Sequence, residues 1–78
     1  MPHFFFDIDD GDNQMSDNNG IEVENLQTAS YEAAICLNEF ATEQWPKGDR
    51  SFISMKIRDG RGSVLVVASL SLVIERLV

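Results

Sequence analysis

Only one cysteine and one histidine occur in the 78 residues. No disulfide can form within the chain. Cys36 with His3 also falls short of the four side-chain ligands, or three and a water, that a zinc site takes. A nucleophilic Cys36–His3 pair would lack a third orienting group and an oxyanion site, and no other nucleophile, base and orienting group come together, so an enzyme is the least supported class. The five glycines do not make a phosphate loop, because Gly60-Arg61-Gly62 has neither the following helix nor the lysine. No cofactor is expected. No apolar run approaches the ~20 residues that span a bilayer. No basic, apolar, small-residue signal opens the chain. The expectation is a cytoplasmic protein without a membrane partner, with Cys36 a small buried hydrophobe in a reducing compartment. Glu32 and Glu39 lie close to it in sequence and oppose thiolate formation.

Basic residues are missing from the first 45 positions. That stretch holds ten acids and no Lys or Arg, whereas residues 46–78 hold six bases against three acids, giving halves of about −10 and +3. The net charge of −7 argues against non-specific nucleic-acid binding. Lys56, Arg58 and Arg61 with Phe52 form a basic-aromatic strand of the kind that can hold single strands, but Asp7 and Asp9 stand ready to neutralise it. The simplest account of the asymmetry is that the halves pack together and pair their charges across strands. The alternative is that opposite faces steer a second copy or a charged partner.

What is present in strength is one helical run, Asn25 to Trp45. Stepping 100° per residue from Leu26 places Leu26, Ala29, Ala33, Leu37, Phe40 and Ala41 on one stripe, with Ala34 and Cys36 at its margins. Glu32, Glu39 and Glu43 fall on the far side, the pattern of a helix lying on one layer of structure. Asn25 suits the N-cap, and Pro46 stops the helix near Gln44. Tyr31 and Ile35 sit opposite the stripe, either as ordinary exposed residues in i,i+4 contact or as a surface for a partner.

The rest alternates with period two. His3 to Asp9 puts Phe4, Phe6 and Ile8 on one side and His3, Phe5, Asp7 and Asp9 on the other. Asp10-Gly11-Asp12-Asn13 is turn chemistry, and Asn13 to Ser16 completes a hairpin. A second turn, Asp17 to Gly20, precedes Ile21-Glu22-Val23, which leads into the helix. Ser51 to Arg58 separates Ile53, Met55 and Ile57 from Phe52, Ser54, Lys56 and Arg58. Asp59-Gly60-Arg61-Gly62 is a hairpin turn, and the valine-rich Ser63 to Ala68 is the best match to a central strand. The tail suits either one long strand or a strand to about Ser69 followed by a short helix capped by Ser69 or Ser71. The second is expected, since a long exposed strand is an edge hazard. The order strand-strand-helix-strand-strand describes one small α+β domain over residues 1–78, with a single helix on a mainly antiparallel sheet. At this size folding buries only about 60% of the unfolded surface, so the core is thin. Phe5, Phe52 and some of Leu65, Val67 and Val73 fall on the sheet face away from the helix. That face is more apolar than a solvated one and reads as a homodimer surface, unless the C-terminal tail folds over it.

Pro2-His3-Phe4-Phe5-Phe6, the Asp10-Gly11 turn, Asp17 with Gly20, and Leu26, Ala29, Glu32 and Ala33 resemble a family of small bacterial proteins of unknown function from rhizobia and related alphaproteobacteria. Its members open Pro-x-Tyr/Phe-Phe-Phe and continue with an Asp-x-x-Gly turn and a Leu-x-x-Ala-x-x-Glu-Ala helix. The family's usual aspartate before the helix leucine is Asn25 here. The likeness covers nearly the whole chain and implies a shared fold, with no activity attached. A looser analogy is to antitoxin domains that pair a short N-terminal sheet with a helix.

Asp7, Asp9, Asp12 and Asp17 invite a divalent-metal or small-molecule sensing role. An EF-hand loop wants glycine at position six and an acid at position twelve. Counting from Asp7 puts Gly11 at five and Asn18 at twelve, and counting from Asp9 puts Gln14 at six, so neither frame fits. A looser site built from both turns competes with plain hairpin turns. The function that best suits these features is a non-catalytic, self-associating module that binds another protein, with Phe5 and Phe52, or Tyr31 and Ile35, at the interface. An antitoxin-like regulator and a sensor using the Asp7–Asp17 acids are the alternatives.

Overall fold

A computed structural model describes all 78 residues, Met1–Val78. The elements run β1 (His3–Asp9), β2 (Gln14–Met15), β3 (Ile21–Glu22), α1 (Leu26–Gln44), β4 (Arg50–Arg58) and β5 (Val64–Val73). They form an α+β fold: one five-stranded antiparallel sheet of order β2-β1-β4-β5, with β3 also on β1, covered on one face by α1.

The helix forms where the 3.6-residue pattern places it. Asn25 has extended backbone and its Oδ1 accepts from Thr28 N–H at 2.8 Å. At the other end Trp45 N–H donates to the Ala41 carbonyl at 2.9 Å, and Pro46 follows. Ala29, Ala33 and Leu37 are buried, and the two alanines let the helix axis come close to the sheet. Beneath them lie Phe4 of β1 and Ile53, Met55 and Ile57 of β4, with Val23 closing the end of the core. Phe6, Ile8, Leu26, Phe40 and the helix-facing residues of β5 are packed against this cluster but remain only partly buried, so the core is indeed thin.

Four features depart from the sequence reading. The central strand is β4, flanked by β1 and β5, while the valine-rich β5 lies at the sheet edge. Strand composition reports how apolar a segment is, and its place in the sheet follows from which strand the chain returns beside. The tail is not helical. β5 runs to Val73 because register with β4 continues through Ser51↔Leu72 and Arg50↔Val73, and Ile74 N–H still donates to the Asp49 carbonyl at 2.7 Å. Ile21–Glu22, expected only to lead into the helix, is a fifth strand opposite His3 and Phe4. Cys36, at the margin of the helical stripe, is exposed instead of buried.

Candidate functional site

Two regions carry the residues singled out from sequence: the acidic N-terminal turns and the sheet face opposite α1. The acidic turns are built around β1's outer edge. In an antiparallel ladder alternate residues bond to alternate sides. Phe4 pairs with Ile21 of β3, and Ile8 pairs with Met15 of β2. Phe6 falls in the gap between those two short strands, and its N–H donates to Asp17 Oδ2 at 3.1 Å. The other oxygen of Asp17 accepts from the N–H groups of Asn19 at 3.0 Å and Gly20 at 2.9 Å. Gly20 is required there: its φ is +67°, and a Cβ would stand 2.8 Å from the Phe4 carbonyl oxygen. The Asp17 carboxylate thus completes β1's edge where strand pairing is interrupted.

Arg58 on β4 ties this turn to the sheet. Its Nε and Nη2 donate to the two oxygens of Asp7 at 2.6 and 3.2 Å, and Nη2 also donates to the Asp17 carbonyl at 2.6 Å. Asp7 Oδ1 accepts from Asp17 N–H at 2.9 Å. The Arg58 guanidinium lies 4.9 Å from the centre of the Phe5 ring, and the His3 ring, tilted against it, is centred 5.1 Å away. The Arg58 hydrogen bond draws the Asp7 carboxyl below the usual carboxylate range, and Asp7 in turn raises Arg58. Asp17 is lowered chiefly by the Gly20 N–H, then by those of Phe6 and Asn19, against an opposing burial cost. Asp10 is lowered by the Asn13 N–H and by Lys47, whose Nζ is 3.1 Å away. Asp7–Arg58 and Asp10–Lys47 each join the acidic half of the chain to the basic half, as charge pairing between the halves predicts.

The weak cation ligands do not converge. Asp7 faces Arg58, Asp9 Oδ1 accepts the Gly11 N–H, Asp17 holds three backbone donors, and Asp12 is on the exposed turn. No three His, Cys, Asp or Glu side chains gather in a group that could hold a metal ion. Two depressions of about 140 and 430 Å³ flank β2. Both open to solvent; the smaller is lined mostly by polar groups, among them Gln14 and Lys56, and the larger mixes Ile8, Met15 and Phe40 with Gln14, Gln44 and Lys47, so neither encloses a small molecule. Cys36 stands apart from both. Partial burial, then Glu39 and Glu32, push its thiol pKa up.

The sheet face away from α1 is mixed rather than uniformly apolar. Across it Asp7, Lys56 and Val67 share one row and Asp9, Ser54 and Ser69 the next. Phe52 stands opposite Ser71, and Arg50 opposite Val73. Phe5 is half-buried under Arg58 and His3, so of the two phenylalanines only Phe52 is free. Phe52, Val67 and Val73 are 53, 59 and 54% exposed. The tail does not cover them: Arg76 pairs with Asp49 at 2.6 Å, and Leu77 and Val78 are open to water. On the outer face of α1, Tyr31 and Ile35 are 62 and 51% exposed, and Tyr31 Oη accepts from Gln27 at 3.3 Å.

The match to a protein-family description spans residues 3–71, from the first residue of β1 into β5. The chain belongs to the family described as Domain of unknown function (DUF6894). No curated protein and no solved structure matches the chain. The matched span takes in Asp7, Asp17, Gly20 and Arg58. Sequence reading treated Asp17 as a turn residue or a cation ligand. The Asp-x-x-Gly spacing was the available signal for its capping role, while Arg58 is 41 residues away from Asp17 and had none.

Proposed function

We propose that this member of the family is a non-catalytic interaction module that associates with itself and, in that form, binds another protein. The observation that carries the reading is the pair Phe52 and Val73, each more than half exposed on a sheet face that neither α1 nor the tail covers, with Val67 exposed farther along β5. Phe52 and Val73 are diagonal cross-strand neighbours, close enough to act as one patch. Single exposed apolar residues are ordinary, but neighbouring ones on an open layer suit a partner surface. The acidic turns support this reading indirectly, because their carboxylates are engaged by backbone N–H groups and cations of the chain itself.

Sedimentation of the unsubstituted chain and of Phe52→Asp tests it. The unsubstituted chain is expected to sediment as a dimer at high micromolar concentration, and Phe52→Asp to shift towards monomer while keeping its circular dichroism. Ile35→Ala, on the helix exterior, is expected to leave the dimer unchanged. A monomer at every concentration for the unsubstituted chain refutes the self-association.

A further inference from the structure

We infer that two copies join along β5, edge to edge, in antiparallel register about a two-fold axis at Leu70, making one sheet continuous across both. The inference rests on the self-association reading above but seats the contact at the sheet's edge, leaving Phe52 of β4 one strand from the seam, so that Phe52→Asp breaks a face-to-face pair and spares an edge-to-edge one.

The two edges of the sheet are treated differently. On the β1 side the edge is broken into two-residue strands, and its outward Phe6 N–H is capped by Asp17. On the β5 side ten residues form one strand, bulged at Leu65 and in unbroken register with β4 from Val66 to Val73. From Ser63 to Ile74 there is no charged residue and no proline, two of the devices that ordinarily keep an edge from pairing, and the bulge, a third, lies outside the segment Val66 to Val73.

The ladder identifies which backbone groups face outward. Ile74 N–H donates to the Asp49 carbonyl at 2.7 Å, and beyond the bulge at Ile57/Arg58, Asp59 N–H donates to the Ser63 carbonyl at 3.0 Å. Both bonds place the odd-numbered residues of β4 in hydrogen-bonded pairs with β5. With alternation, Val66, Ala68, Leu70, Leu72 and Ile74 spend their N–H and C=O groups on β4. Val67, Ser69, Ser71 and Val73 turn theirs to the open edge.

Those four residues lie in Val67-Ala68-Ser69-Leu70-Ser71-Leu72-Val73, which reads almost the same in both directions. An antiparallel copy turned about Leu70 sets Val67 against Val73, Ser69 against Ser71, and Leu70 against itself. Every outward backbone group then meets an outward group of the other strand. Ala68 meets Leu72, small against large. The valines and serines extend the open face as like against like, while Leu70 and its neighbours, only partly buried in one copy, extend the helix-side core. No like charges face each other, since the paired segment carries none.

Single-cysteine variants in a Cys36→Ser background test the register. Leu70 would face its own copy in a non-hydrogen-bonded pair with Cα atoms about 4.5 Å apart, within disulfide reach. Leu70→Cys is expected to yield a covalent dimer as the main species under mild oxidation. Ala68→Cys and Leu72→Cys each place like positions roughly 14 Å apart and are expected to cross-link only when mixed with each other. Ser71→Pro, which removes an outward N–H and no ladder bond, is expected to give a folded monomer. If Leu70→Cys fails to cross-link while the unsubstituted chain sediments as a dimer, the edge pairing is overturned and association through the sheet face stands. If the unsubstituted chain is monomeric, both fall. Should Ser71→Pro lose its circular dichroism, the cross-linking pattern alone decides.

Discussion

Asp17→Ala removes the acceptor for three backbone N–H groups, and its cost follows from their surroundings. The Asn19 N–H is exposed, so its loss is largely made good by solvent, and that of the part-buried Gly20 N–H only in part. The Phe6 N–H is part-buried in the gap between β2 and β3 and would be left unpaired. A hydrogen bond to a charged group contributes about 1.5–3 kcal/mol, and stranding a buried donor falls in a similar range. Allowing for partial exposure, the substitution should cost about 2–3 kcal/mol. A chain of this length has a stability of roughly 4–12 kcal/mol, and each kcal/mol moves the midpoint of so small a domain by about 4–8 °C. Thermal melts followed by far-ultraviolet circular dichroism should therefore show a fall of roughly 10–20 °C at neutral pH. The effect should depend on pH in one direction. Because the folded-state pKa of Asp17 is depressed, its contribution is present above the unfolded carboxylate value near 4 and is lost as pH falls through the lower folded value. The gap between the two melting curves should narrow on acidification below about pH 4. Asp17→Asn keeps one acceptor oxygen but sets a donor against a donor, and should fall between. A midpoint for Asp17→Ala within the error of the unsubstituted chain, or a gap of the same size in acid, would refute the capping argument.

Ile57→Ala, at a side chain with no exposed surface, should cost about 3–4 kcal/mol in chemical denaturation. Ile35→Ala on the helix exterior should stay within about 0.5 kcal/mol. Cys36 is accessible, yet its thiol pKa is raised by burial and by Glu39 and Glu32. It should alkylate more slowly than a free cysteine at neutral pH, and Glu39→Gln should speed the reaction, as read by mass spectrometry. Calorimetric titration with calcium, magnesium and manganese should release no heat, because the acidic turns already spend their carboxylates on backbone donors and Arg58.

Much of the fold was legible because its signals are local. The stripe Ala29, Ala33, Leu37 depends only on the pitch of a helix, and Asn25 and Pro46 mark its ends by what their own atoms can and cannot bond. The alternation of Ile53, Met55 and Ile57 likewise needs no neighbour to be read, and all three are buried as it implies. Ile21–Glu22 was missed because two residues are too few to alternate, and it becomes a strand only through the partner it finds in β1. Arg58 was legible in part: its neutralisation by Asp7 follows from the charges of two strands, whereas its reach to the Asp17 carbonyl and its place over Phe5 appear only in space.

The chain's own order of residues determined where a helix must run, which side of each strand is oily and where the turns fall, since each of these is settled by a few adjacent side chains and the geometry of the backbone. Only tertiary structure decided that β4 sits at the centre and β5 at the margin, that Asp17 closes a gap in β1, and that the last strand continues to Val73. Those outcomes turn on hydrogen bonds between segments far apart in sequence. Such a bond forms or fails according to which strand lies alongside, a matter that no single strand's composition expresses.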